Sequence, residues 1–174
     1  MPDIRARMEV VEADITQLDV EAVVNAANDR LAPGGGVCGA IHRAAGMELA
    51  EACRKIGGCP TGQARLTPGF NLRAKYVIHA VGPVWQGGAA QEDFLLADAY
   101  RHSLELAQQH KVASIAFPAI STGIYGYPLE RATDIAVHTV ADFLRGSQAP
   151  ARVVFACFGS DATATYRSVL ARLA

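Results

Sequence analysis

"EAVVNAANDRLAPGGGVCGAIHRAAG", residues 21–46, is the stretch from which the fold is read. Its opening, "EAVVNA" (21–26), is β-branched and apolar and passes into a polar loop, as a buried strand does. After the glycines, Ile41, Ala45, Leu49 and Cys53 recur at i, i+4 and predict a helix over 39–53. Strand, glycine-rich loop and helix, in that order, form the building unit of an α/β fold.

The alternation runs the length of the chain. "MEVVEA" (8–13) precedes the unit, and "ARLTPG" (64–69), "KYVIHAV" (75–81), "ASIAFPA" (113–119) and "RVVFACF" (152–158) follow it as further strands. Helices are predicted over 91–109 (Leu96, Tyr100, Leu104, Ala107), 129–144 (Ala132, Ala136, Val140, Phe143) and 161–173 (Ala162, Tyr166, Val169, Leu170, Leu173), with Pro128 placed to start the second. Such a pattern predicts a sheet covered on both faces. The first two strands follow each other with no helix between them, which predicts a mixed sheet. Ligands of open α/β sheets sit at the carboxyl ends of strands, so function is sought in the loops 25–39, 81–90 and 119–128.

Composition narrows the classes. With 174 residues, 51% hydrophobic and 19% charged, the chain is long and apolar enough for one folded domain over 1–174. Its 16 Lys+Arg and 17 Asp+Glu are scattered, which leaves no basic stripe for nucleic acid and no polybasic tract for a membrane surface. A small anion is still admissible, because backbone amides and helix ends bind phosphate without Lys or Arg. Cys38, Cys53, Cys59 and Cys157 form no C-x-x-C pair, and no His/Cys/Asp/Glu set has metal-ligand spacing, so neither metal nor cofactor is expected. No signal-like start and no apolar run of about 18 residues is seen, so a cytoplasmic protein with reduced thiols is expected.

"GGGVCG" (34–39) satisfies the letters of a dinucleotide-binding G-x-G-x-x-G, but not its context. That fingerprint turns directly from strand to helix and has an acid about 20 residues on, at the end of the next strand. Here a long loop intervenes, and Glu48 and Glu51 fall inside the predicted helix. The glycines instead suit close backbone approach to a ligand at a helix N-terminus. The second loop, "AISTGIYGYP" (119–128), offers successive amides at Ser121, Thr122, Gly123, Ile124 and Gly126, with Tyr125 and Tyr127 as flat faces for a sugar or base. The two loops together suit a diphosphate. No G-K-[ST] follows either, against a P-loop.

Of the asparagines, Asn25 is expected to be structural and Asn28 to face the ligand, where an amide suits paired ribose hydroxyls. Asp14, at the end of the first strand, reads either as a turn residue or as an acceptor for an exocyclic amine. Cys38 and His42 lie one turn apart at the helix start, an arrangement open to a thiol nucleophile assisted by His and equally to space filling. His79 reads as a core residue at a strand end; His102, His110 and His138 read as surface helix residues.

Together these segments resemble the macrodomain family, and within it the MacroD-type bacterial O-acetyl-ADP-ribose deacetylases. The resemblance covers nearly the whole chain: "ADIT" (13–16), "VVNAAN" (23–28), "GGGVCGAIHRAAG" (34–46), "CPTGQA" (59–64), "KYVIHAVGPVW" (75–85), "AFPAISTGIYGYP" (116–128) and "DATATY" (161–166). It implies a three-layer α/β/α fold with a mixed central sheet of about six strands, and ADP-ribose or O-acetyl-ADP-ribose as ligand, with ADP-ribosylated proteins as further partners. It assigns Asp14, Ile15 and Phe158 to adenine, Gly34, Gly35, Gly36 and the 121–126 loop to the diphosphate, and Asn28 and Tyr125 to the distal ribose, with Val37 as a further ligand-binding residue.

Three departures stand out. The family pattern Val-Asp-Gly is here Val37-Cys38-Gly39, Pro33 replaces a further glycine, and Ala13 replaces the glycine of "GDIT". The missing aspartate is the family's acid near the distal ribose. A thiol is a poorer acceptor than a carboxylate, with an ordinary pKa near ~8.5, and a positioned base contributes about 10²–10⁴ in rate. The expectation is hydrolysis of O-acetyl-ADP-ribose or of mono-ADP-ribosyl esters on acidic residues, attenuated by the exchange, with Asn28, Cys38 and His42 as catalytic candidates. A binding module with little catalysis and a thiol-dependent hydrolase are the alternatives.

Overall fold

The structure is a computed structural model and describes residues 3–173. Six strands, β1 (Met8–Glu12), β2 (Ala22–Ala27), β3 (Ala64–Pro68), β4 (Tyr76–Val81), β5 (Ser114–Phe117) and β6 (Arg152–Cys157), form one sheet in the order β1-β6-β5-β2-β4-β3. The helices are α1 (Gly36–Ala45), α2 (Met47–Ile56), α3 (Glu92–Gln109), α4 (Leu129–Arg145) and α5 (Ser160–Ala171).

Side chains alternate across the central strands and feed two cores. Val24, Ile78, Ile115, Val153 and Phe155 pack with Leu96, Leu104, Ala136, Val140 and Tyr166 of α3, α4 and α5. Val23, Val77, Ala116 and Val154 pack with Ile41, Ala45, Leu49 and Cys53 of α1 and α2. Neighbouring residues on a strand point to opposite faces, so a continuous apolar run is what a strand buried on both sides requires. Full burial of each such Val, Ile or Phe stabilises the fold by about 1.5–3 kcal/mol. The result is the three-layer α/β/α sandwich with a six-stranded mixed sheet.

Two expectations need correcting. The sheet is mixed, but not because of its first two strands. β1 and β2 are separated by β6 and β5, all lying parallel, and the one antiparallel pairing among the described residues is β3 against β4 at the edge. A short connection through a 3₁₀ turn (Ile15–Gln17) carries the chain across the sheet, so adjacency in sequence did not mean pairing. The helix predicted over 39–53 is two helices, broken at Gly46 with φ +92°. Its apolar stripe runs through the break because α1 and α2 cover the same sheet face.

The connection after β2 leads to α1 on one face, and the one after β5 leads to α4 on the other. β2 and β5 are neighbours, so their carboxyl ends fork apart and leave a crevice. Among the described residues no helix is long and apolar enough to cross a membrane.

Candidate functional site

A cleft of about 300 Å³ occupies the fork. Its floor is Ala26, Ala27 and Asn28 from the end of β2 and Gly82 from the end of β4. One wall is Gly34–Cys38, where α1 begins; the other is drawn from Ala119–Tyr125 after β5. The glycine loop and the 119–128 loop face each other as expected.

The first wall is an unblocked helix start. Gly35 occupies the N-cap position and has no side chain with which to cap α1, so its leading N–H groups and the helix dipole are left for a ligand. The three glycines differ in what they need. Gly36 has φ +56°, which a side chain would strain, whereas a Cβ on Gly34 would make ordinary contacts and one on Gly35 would meet nothing. Gly39, beyond the triplet, is the tightest: a Cβ there would lie 2.5 Å from the carbonyl oxygen of Gly34.

In the second wall the left-handed backbone of Ser121 (φ +69°) and Gly126 (φ +72°) turns the chain twice. Tyr127 N donates to Ser121 O at 2.9 Å and Gly126 N to Gly123 O at 3.0 Å. Ser121 belongs to the cleft lining, and its hydroxyl is buried with no hydrogen-bond partner within the protein. Thr122 spends its hydroxyl on Ala119 O (3.3 Å), and neither it nor Gly126 is part of the lining. Gly123, Ile124 and Tyr125 are. Burial pushes the Tyr125 phenol up, with Asp29 and Cys38 nearby acting in the same direction.

Asn28 lines the cleft, but its polar atoms are not idle. Its Nδ2 donates to Ala32 O at 2.8 Å, and its Oδ1 accepts from Ala32 N (3.0 Å) and Arg30 N (3.2 Å). The expected ligand residue is thus also the pin of the 28–32 turn, a structural role that was expected of Asn25 alone; the second amide hydrogen is what it has for a ligand. Asn25 is fully buried in the layer beneath. Its Nδ2 lies 3.7 Å from Cys38 Sγ and 3.1 Å from His79 Nδ1.

Cys38 is the third residue of α1 and lines the cleft, with Sγ 3.7 Å from Ala32 O. His42 is not its partner. Both imidazole nitrogens are buried without a hydrogen bond, and the ring is not part of the cleft lining. Burial lowers the pKa of His42, so the imidazole is neutral. The helical spacing put the two on one face, but no hydrogen bond joins them, and a thiol–imidazole pair needs one. All four cysteines are free. Among the described residues no three His, Cys, Asp or Glu are grouped to hold a metal ion.

The residues assigned to adenine lie beside this cleft, outside its lining. Asp14 caps the 15–17 turn through bonds from Thr16 N (2.9 Å) and Thr16 Oγ1 (2.7 Å), the turn role weighed for it. Ile15 is buried in the core. Phe158 is 60% exposed. Asp14 and Phe158 leave paired strands at matching ends, with Glu12 opposite Cys157 and Ala13 N bonded to Cys157 O (3.3 Å). The sequence did not single out Gly82. Its signal was a glycine directly after a buried strand, in the 81–90 loop.

Fold and cleft together define an α/β/α domain with a binding cleft at the fork of its sheet. The chain belongs to the macrodomain family: a family model described as "Macro domain" matches residues 24–136. It is 53% identical over 167 residues to a macro domain-containing protein of Methanosarcina mazei, covering 96% of this chain and 89% of that one. It is 52% identical over 170 residues to the O-acetyl-ADP-ribose deacetylase of Escherichia fergusonii, covering 95% and 96%. Among solved structures, the Oceanobacillus iheyensis macrodomain with ADP superposes with a TM-score of 0.90 at 41% identity over 93% of this chain and 88% of that one. The Trypanosoma brucei macrodomain in complex with ADP-ribose gives 0.88 at 42% identity, over 93% and 68%.

Proposed function

We propose that this chain binds ADP-ribose and hydrolyses O-acetyl-ADP-ribose or mono-ADP-ribosyl esters on acidic residues, slowly, because Cys38 stands where the family has an aspartate. The observation that carries the reading is the cleft itself, with the uncapped start of α1 facing the Ser121–Gly126 turn across the strand fork. Backbone N–H groups from both sides suit the two phosphates without a cation. Relatives at 52–53% identity named O-acetyl-ADP-ribose deacetylase support the same ligand class and a hydrolase.

In this reading Asp14, the Ile15 backbone and Phe158 receive adenine, and Asn28 and Tyr125 receive the distal ribose. Water attacks the ester carbonyl there; the carbonyl–oxygen bond to the sugar breaks, giving a carboxylic acid and the freed ribose hydroxyl. Asn28 orients that water. Cys38 supplies a weak acceptor in place of a base, which lowers rate but not affinity, because the phosphate and adenine contacts lie elsewhere.

Cys38 also favours a second reading, a binding module with little turnover. Calorimetry with ADP-ribose tests what the two share, and absence of binding at high micromolar ligand sinks both. Release of acetate from O-acetyl-ADP-ribose by the unmodified protein separates them.

A further inference from the structure

The 121–126 wall has few bonds of its own. Its internal support is the two backbone bonds already described, and Ile124 at its tip is 90% exposed. A binding loop free to sample other conformations binds more weakly, since the competent one must be selected. The outside support comes from residues 85–93 and 131, none of which lines the cleft.

Trp85 is the point of contact. Its backbone N–H donates to Tyr125 O at 2.9 Å, fixing the middle of the loop. Its ring packs on Tyr127 with centroids 4.7 Å apart, and the Arg131 guanidinium lies 5.1 Å over the indole. Two consecutive acids at the start of α3 hold this arrangement from behind.

Glu92 is 1% exposed and folds residues 86–90 around its carboxylate. Oε2 accepts from Gln86 N and Gly88 N, each at 2.8 Å, and Oε1 from Ala90 N at 2.6 Å. Burial pushes its carboxyl up, but the backbone N–H groups of Gln86, Gly88, Ala90 and Glu92 itself outweigh burial and hold it below its ordinary value. Asp93 takes the far end of the loop. It accepts the Tyr127 hydroxyl and is gripped by Arg131 through Nε (2.9 Å) and Nη2 (2.6 Å). Glu92 thereby fixes the segment that follows Trp85, and Asp93 fixes the residues that clasp its ring.

We infer that Glu92 and Asp93 are positioning residues for the ligand loop, setting ADP-ribose affinity through Trp85 and Tyr127 although neither acid meets the ligand. The inference rests on the reading of the cleft as an ADP-ribose site. Glu92→Gln keeps the shape but turns an N–H toward donors; Tyr127→Phe keeps the ring on Trp85 but removes its bond to Asp93.

Calorimetry with ADP-ribose on the wild type and both variants decides the matter, alongside melting curves and the emission of Trp85, the single tryptophan of the chain. Glu92→Gln is expected to weaken binding about tenfold and Tyr127→Phe about threefold, as fits losing one or two ordering contacts. KM for O-acetyl-ADP-ribose should rise in step, with kcat held within about twofold, and Glu92→Gln should shift the emission of the ligand-free protein. If both variants melt lower yet bind within twofold of wild type, the acids are merely structural and the inference fails. Should Glu92→Gln not fold, Tyr127→Phe alone decides by the same criterion. A wild type that does not bind ADP-ribose overturns the functional reading, and this inference falls with it.

Discussion

Asn25 and His79 face each other in register across β2 and β4, with Nδ2 of the amide 3.1 Å from Nδ1 of the imidazole. An amide nitrogen only donates, so Nδ1 accepts and the ring proton sits on Nε2. That atom lies 3.0 Å from Thr67 Oγ1, the hydroxyl of which is 3.1 Å from Pro68 O. The layer under the cleft is therefore a directed chain of hydrogen bonds with a neutral histidine at its centre.

The chain of bonds gives the fold an acid-sensitive point. Burial, and then the neighbouring His42, lower the pKa of His79 from an ordinary 6.5 to about 3. The unfolded chain takes up that proton below pH 6.5 while the folded one refuses it. Stability is thus complete above pH 6.5 and drains as pH falls toward 3. At about 1.4 kcal/mol per pH unit this one group removes about 3 kcal/mol by pH 4.5. Urea unfolding at pH 7.5 and 4.5 should show the loss, and His79→Gln should show a shallower acid limb. An equally steep limb in the variant would refute the assignment.

Turnover should respond to Cys38 in one direction and affinity hardly at all. Replacing it with Asp restores a strong acceptor beside Asn28 and should raise the rate of O-acetyl-ADP-ribose hydrolysis at least about tenfold, toward the range of a positioned base. Cys38→Ala should keep ADP-ribose affinity within about threefold, since the amides proposed to hold the phosphates are backbone groups that the substitution leaves in place. Loss of all turnover in Cys38→Ser, with binding intact, would mean that the thiol is a nucleophile instead.

The thiols should also differ in access. Cys38 lines the cleft, whereas Cys53 and Cys157 are closed in the core, where burial pushes both up to about 11, and Cys59 is raised for the same reason. Thiolates are the reactive form. Iodoacetamide at pH 8, read by peptide mass, should therefore label Cys38 first, and saturating ADP-ribose should slow that labelling. Equal labelling with and without ligand would place the ligand away from Cys38.

Much of this was legible in the sequence because the relevant signals are local. Strands buried on both faces must be apolar throughout, and helices covering them must repeat near i, i+4, so Val23–Val24 and the Leu96–Leu104 stripe read directly. The two glycine loops announced themselves by composition. What stayed hidden depends on distance or on conformation. The break at Gly46 left the buried stripe intact, so periodicity did not register it. Asp14 and Phe158 are brought together by the β1–β6 pairing, which no local pattern encodes. Cys38 and His42 share a helix face, but spacing does not say which of them reaches the cleft.

Gly82 offers the sharpest steric test. Its backbone is not left-handed, so any effect of a side chain there comes from space alone. A Cβ would overlap Ser121 Oγ and come within 2.5 Å of Ile120 Cγ2. Ile120 is 1% exposed and has nowhere to go, so Gly82→Ala should cost about 1–3 kcal/mol in stability, as overpacking does. The displaced Ser121 carries the wall of the cleft with it, so ADP-ribose affinity should fall as well. Gly123→Ala is the control for stability alone, because a Cβ there meets nothing within 4 Å of the protein and its φ is ordinary, although the residue lines the cleft. Melting and calorimetry on the pair should separate them: a stable, tightly binding Gly82→Ala would mean that the floor of the cleft yields and that Ser121 is not held where its buried hydroxyl suggests.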